Sequence, residues 1–260
     1  MTHPMFLQDE VVTYEVLLPG IVKKLETAYG TIYVSIESGD IHFVQRWRYR
    51  FQVEEILHPA PRKADPWTDD EERDFHTTAA ALIWKFWNSS PLLPRGGDPS
   101  LFQIIDLLNA DRPVISARVS GTGDFAKKFA SKSLPIDFDI ALSVTNPHYS
   151  VTVRKMIGDR FVHSFVNYGT RSISFVKTAV EKRGAQQDGR DPAVTTDFIS
   201  VPHEFGHAIG YETDEYQAYA AKHRDVKSLM NIGREIRPRH LEFIRTHLAQ
   251  MFAGSRFEFA

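Results

Sequence analysis

The stretch Pro202-His203-Glu204-Phe205-Gly206-His207-Ala208-Ile209-Gly210 constrains this chain more tightly than any other. Two histidines four apart on a helix lie one turn above each other, on a single face. Proline is tolerated only in a helix's first turn, and glycine just past the last turn lets the backbone leave in a left-handed conformation. A short helix is therefore expected, opened near Ser200, whose hydroxyl is placed to cap it, and closed before Gly210. Both imidazoles can then bind one metal, with Glu204 beside them to accept a proton from a water polarised by that metal.

The surroundings strengthen this reading. Asp197 lies just upstream, Glu212-Thr213-Asp214-Glu215-Tyr216 supplies carboxylates just downstream, and Ser228-Leu229-Met230-Asn231-Ile232-Gly233 sets a methionine in a turn-like stretch. The set His, His and carboxylate suits Zn2+, which takes nitrogen and oxygen ligands in a tetrahedron.

Elsewhere the chain alternates or repeats at helical spacing. Thr31–Glu37 and Phe43–Val53 alternate about a Ser-Gly-Asp turn and predict a hairpin. Phe43, Trp47, Tyr49, Phe51 and Val53 share one face. Arg46, Arg48 and Arg50 share the other, as a solvated face or a basic docking surface. The proline-rich stretch His58–Trp67 marks an internal boundary. It divides a β-rich extension over residues 1–60, packed on the main domain, from a domain over 61–260 that carries the histidine motif. Thr68-Asp69-Asp70-Glu71 reads as a capping box for a helix reaching about Asn88, with Phe75, Ala79, Leu82, Ile83 and Phe86 inward. A second helix is expected over Ser100–Asn109.

Strand patterns follow at Pro113–Ser120, Ile136–Val144, Tyr149–Lys155, Arg160–Val166 and Ser172–Val176. Their short spacings predict a largely antiparallel meander. Arg171–Val176 fits either an edge strand lining a cleft or an interior strand. Ser120-Gly121-Thr122-Gly123 reads as a turn, and Pro238–Met251 as a final helix. The fold class implied is α+β, with a twisted, mainly antiparallel-edged sheet, a backing helix and the motif helix.

Composition removes several classes of function. Net charge is -2 among 25% charged residues, which argues against a nucleic-acid or membrane-surface binder. No cysteine is present, so disulfides, thiolate metal sites and cysteine nucleophiles are excluded. The first residues carry no basic-then-apolar pattern of a cleaved leader, and no apolar run reaches membrane-spanning length.

His203–Gly210 followed by Ser228–Asn231 resembles the metzincins, whose signature is H-E-x-x-H-x-x-G-x-x-H/D followed by a methionine turn beneath the metal. The chain departs at the third-ligand position, which holds Thr213, with Asp214 one residue late. Over Ser200–Leu241 it more specifically resembles the metallopeptidase effector domains at the C-termini of type VI secretion spike (valine-glycine repeat) proteins and related polymorphic toxins. In that family two histidines and a downstream glutamate hold the metal, which here implies Glu235. Asp214, Glu215 and His240 are the alternatives. Donors to a developing oxyanion would be His240, Tyr216 or Tyr211.

The resemblance further implies a peptide or cell-envelope amide substrate, a secretion spike and a cognate immunity protein as partners. It also implies synthesis in the cytoplasm without a signal peptide and action in the target cell's periplasm. Two other readings stand beside it. One is an ordinary metzincin-like peptidase without a toxin role. The other is a non-catalytic module braced by zinc, with the Arg46, Arg48 and Arg50 face docking a partner.

Overall fold

The structure, a computed structural model, describes residues 20–57, 61–87, 115–158, 162–185, 196–217 and 220–259, with backbone only at 184–185 and 196–197. The expected helix at Ser100–Asn109 and the first nineteen residues lie outside these. The architecture is α+β. Among the described residues one nine-stranded sheet forms the body, in the order β13-β6-β7-β3-β8-β10-β9, with β1 and β2 attached beside β3.

The strands of its N-terminal part are β1 (Val22–Glu26), β2 (Thr31–Ser35) and β3 (Ile41–Val53), and the short pair β4 (Glu55–Ile56) and β5 (Arg62–Lys63) follows. Helix α1 (Asp69–Trp87) comes next, then β6 (Ser116–Gly121), α2 (Asp124–Phe129), β7 (Ser133–Leu142) and β8 (Tyr149–Lys155). The chain goes on through β9 (Phe165–Asn167), β10 (Ser172–Val176), a 3-10 turn (Lys177–Val180), β11 (Arg183–Ala185) and β12 (Thr196–Phe198). Helix α3 (Ser200–Ala208), a second 3-10 turn (Pro238–Leu241), α4 (Glu242–Met251) and β13 (Ser255–Phe259) complete it.

The hairpin β2–β3 forms with Ile32 opposite Phe43. The antiparallel meander does not. Strand β3 runs parallel to both β7 and β8, and Trp47 pairs with Leu142 on one edge and Tyr149 on the other. The short connection from β7 to β8 therefore steps across β3 instead of reversing beside it. Arg46 holds that crossing: its Nε donates to the Asn146 carbonyl at 2.7 Å, and its amide donates to His148 Nδ1 at 2.8 Å. Within this sheet every antiparallel pair includes one of the outer strands β1, β2, β6, β9 and β13. Because β3 lies inside the sheet, residues 20–57 are integral to the main body and not an extension packed on it. Strand β10 is interior, and β9 is the edge.

Helix α1 opens on the capping box: the Glu71 amide donates to Thr68 Oγ1 at 3.2 Å and the Thr68 amide to Glu71 Oε2 at 3.0 Å. Its apolar stripe, widened by Trp84 and Trp87, packs between β7 and α3. Trp47, Trp87, Phe138 and Phe205 meet at the centre with ring centroids 5.5–6.4 Å apart. Strand β13, with its alternation Ser-Arg-Phe-Glu-Phe, extends the sheet by pairing with β6, which the sequence reading had not anticipated.

On the opposite face Arg46 is engaged rather than free for docking. It pairs with Glu26, which also contacts His148 Nε2 at 2.8 Å. Burial and the Arg46 charge pull His148 down to about 4. Glu26 falls to about 2, since the hydrogen bonds from Arg46, Thr31 and His148 outweigh the opposing effect of burial. Both groups thus bind protons less readily folded than unfolded, so stability is lost as pH falls. The window is 6.5 to about 4 for His148 and 4.5 to about 2 for Glu26. A thermal-midpoint series on metal-stripped protein should decline across it, and His148→Gln should flatten the part above pH 4. An unchanged slope in that variant would remove His148 as the cause. No described helix is long and apolar enough to cross a membrane.

Candidate metal centre

Helix α3 lies wholly in the interior, every residue from Ser200 to Ala208 buried. Ser200 does not cap it. Ile199 stands at that position with no side-chain bond, and Ser200 Oγ accepts from Arg183 Nη2 at 2.6 Å. At the other end the expected glycine exit is present. Gly210 has φ +104°, its amide donates to the His207 carbonyl at 2.8 Å, and the Tyr211 amide reaches the Gly206 carbonyl at 3.2 Å. The Ala208 carbonyl is bolted to the sheet by Gln45 Nε2 at 2.9 Å and the Tyr149 hydroxyl at 3.0 Å. Trp47 Nε1 holds Gln45 in turn at 2.7 Å. The helix that carries the histidines is therefore fixed at both ends by side chains from distant strands.

His203 Nε2 and His207 Nε2 converge on one atom, Asp214 Oδ1, at 3.1 Å and 3.0 Å. The opposite ring nitrogens contact backbone carbonyls: His203 Nδ1 that of Leu229 at 2.8 Å, His207 Nδ1 that of Tyr211 at 2.6 Å. A proton on Nδ1 leaves each Nε2 lone pair facing the other ligands, the arrangement that orients a metal-binding imidazole. The three donor atoms lie within 4.8 Å of one another. Zinc bonds of about 2.0–2.1 Å set tetrahedral donors on the order of 3.3 Å apart, so the group fits that ion.

Glu204, 6% exposed, stands beside the cluster. Burial pushes its carboxyl above the ordinary range, against the pull of His203, His207 and Arg183. Burial opposes the charge on His207, but Asp214 raises it overall. Burial likewise opposes ionisation of Asp214, and the two histidines outweigh it and hold it low.

The methionine turn packs beneath the helix. A Cβ placed on Gly206 would lie 2.2 Å from Met230 Sδ and 3.0 Å from Trp87. Gly206→Ala is accordingly expected to destabilise the fold by ~1–3 kcal/mol, read by denaturant unfolding. A neutral result would mean that Met230 is not seated under the helix.

Glu215 fastens the ligand loop to this turn. Its amide donates to the Met230 carbonyl at 2.8 Å, and its fully buried carboxylate accepts two bonds from Arg239 at 2.7 Å and one from the Tyr211 hydroxyl at 2.5 Å. With residue 215 clamped, its neighbour Asp214 is aimed at the histidines.

The carboxylate that the structure groups with the two histidines is therefore that of Asp214, not Glu235. Glu235 donates its amide to the Lys227 carbonyl at 2.7 Å and pairs its 48% exposed carboxylate with Arg237 at 2.7 Å. It lies outside the ligand group. His240 is equally committed, with Nδ1 accepting the Arg237 amide at 3.1 Å and Nε2 contacting Ser228 Oγ at 3.1 Å. Of the oxyanion candidates, His240 and Tyr211 belong to the Glu215 cluster, and Tyr216 lies beside the histidine pair, 5.9 Å from His203 between ring centroids.

Sequence reasoning missed Arg183 and Gln45. Arg183 sits 5.2 Å over the Phe198 ring, which itself packs 5.1 Å from His203. Nothing in its polar neighbourhood marked it. Gln45 did leave a signal, as the single polar residue on the odd-numbered face from Phe43 to Phe51. Comparison with known proteins returns no match among family models, curated proteins or solved structures.

Proposed function

We propose that the protein is a zinc-dependent hydrolase of peptide or amide bonds, of metzincin-like type. The observation that carries this reading is the convergence of His203, His207 and Asp214 beside the buried Glu204. Three protein ligands with a fourth position open is the pattern of catalytic zinc, whereas structural zinc is closed by four. Zinc bound there would polarise a water and the scissile carbonyl.

Glu204 accepts the proton of the attacking water and returns it to the departing amine. Its burial suits this double duty, because a raised carboxyl pKa brings it toward the working pH. Tyr216 and Arg183 are the side chains at hand to favour negative charge on the carbonyl oxygen.

Deployment as an antibacterial effector delivered to the periplasm extends this reading and rests on the sequence resemblance. Elemental analysis should find about one zinc per chain, and hydrolysis of a mixed peptide library should stop on chelation and return with added zinc. Expression in bacteria with an export signal should inhibit growth, and expression without one should not. A metal-free preparation with full activity would defeat the zinc reading. Equal toxicity from both forms would defeat only the periplasmic one.

A further inference from the structure

Tyr168 begins a chain of contacts that ends on His207. It stands just past β9, in the tight turn that leads to β10. That turn is pinned twice. Asn167 Oδ1 accepts the Thr170 amide at 3.0 Å, and the carbonyl of Arg171, whose φ is +48°, accepts the Ser150 amide of β8 at 3.0 Å. The Tyr168 ring meets Tyr29 edge-on with centroids 6.3 Å apart, and Tyr29 meets Phe243 of α4 at 4.9 Å. From this seat the Tyr168 hydroxyl donates to the Tyr211 carbonyl at 3.2 Å. The same carbonyl lies 2.6 Å from His207 Nδ1.

Tyr211 belongs to no helix or strand and follows the left-handed Gly210, so no regular ladder orients its carbonyl. A carbonyl oxygen has two lone pairs, and here the His207 imidazole and the Tyr168 hydroxyl divide them. The tautomer and ring angle of a metal-binding histidine are set by the group that its other nitrogen bonds. For His207 that group is itself held from the β9–β10 turn. Burial, then the neighbouring Tyr149, Glu212, Tyr29 and Glu204, push the Tyr168 hydroxyl far above the ordinary tyrosine range, so it stays protonated and can donate.

We propose that Tyr168 is a positioning residue for His207: its hydroxyl fixes the Tyr211 carbonyl, and that carbonyl fixes the imidazole whose Nε2 faces Asp214. The role rests on the zinc reading. Tyr149 supplies a comparison, because its hydroxyl also donates to a carbonyl at the end of α3, that of Ala208 at 3.0 Å. The other donor to that oxygen is Gln45 and not an imidazole.

Metal-free full chain, as wild type, Tyr168→Phe and Tyr149→Phe, is titrated with zinc against a chromogenic chelator and separately with cobalt(II), whose visible bands report ligand geometry. Tyr168→Phe keeps the ring and loses only the hydroxyl. It should bind zinc about tenfold more weakly than wild type and shift the cobalt bands. Tyr149→Phe should keep the wild-type bands and affinity, even where it lowers the thermal midpoint further. In zinc-loaded wild type, nitrogen-15 NMR should show the His207 Nδ1 proton exchanging slowly with water. Wild-type affinity and bands in Tyr168→Phe would overturn the positioning role and leave the zinc reading standing. Matching losses in the two variants would also overturn it, since they would mark a general loosening of the helix end. A rapidly exchanging His207 Nδ1 proton in the wild type would do so without recourse to any variant. Wild-type protein that takes up neither zinc nor cobalt would sink both the role and the zinc reading.

Discussion

Replacing Glu204 by Gln is expected to lower the rate of amide hydrolysis by ~10²–10⁴-fold, since the amide cannot take the proton that the carboxylate takes. Zinc content should not change, because Glu204 is beside the ligand group and not within it. Stability should hold or rise. The native carboxyl is buried and its pKa is raised, so ionising it in place is costly, and a neutral isostere removes that cost. The combination to measure is turnover, zinc per chain and thermal midpoint on one preparation. Wild-type turnover in a variant that still holds zinc would remove Glu204 from the reaction and favour the zinc-braced binding module.

Asp214→Ala should cost zinc affinity well beyond the ~10–100-fold typical of losing an outer partner of a ligand, because it removes a donor atom itself. Glu235→Ala should stay within about tenfold of wild type. Its carboxylate serves Arg237, which keeps two bonds of 2.9 Å to Asp225. Competition with a chromogenic chelator measures both. Zinc loss confined to the Glu235 variant would reinstate that residue and displace Asp214.

What the sequence made legible was local. Thr68 and Glu71 cap each other through bonds three residues apart, Gly210 ends its helix within one turn, and Phe43 to Val53 alternates because one face of β3 is buried. Pairing partners are not local. The alternation of Ile136 to Leu142 says that one face is buried, but not that β3 will lie parallel alongside it. Short loops suggested reversal, and the Arg46 bonds that hold a crossing instead come from residues 100 and 102 positions away.

The histidines and Glu204 were readable because helix geometry fixes their spacing. The third member of the cluster was not, because it follows the helix exit. Counting along the metzincin pattern lands on Thr213, which is exposed, whereas the clamp on Glu215 sets Asp214 in place. That clamp needs Arg239, which lies 24 residues further on. Arg183 was hidden for a related reason. Its role depends on the β11–β12 pairing with Phe198, not on its own neighbours.

The bolt from Gln45 to the Ala208 carbonyl spans 163 residues. Helix α3 can form early from local contacts, but its end is secured only after β3 has been laid between strands far downstream. Chains with such distant pairings fold slowly, because loop closure must come before the contacts that reward it. On the proposed zinc reading, metal capture is then a late event on the folding path, and the appearance of tight zinc binding in a refolding experiment would time the closing of the sheet.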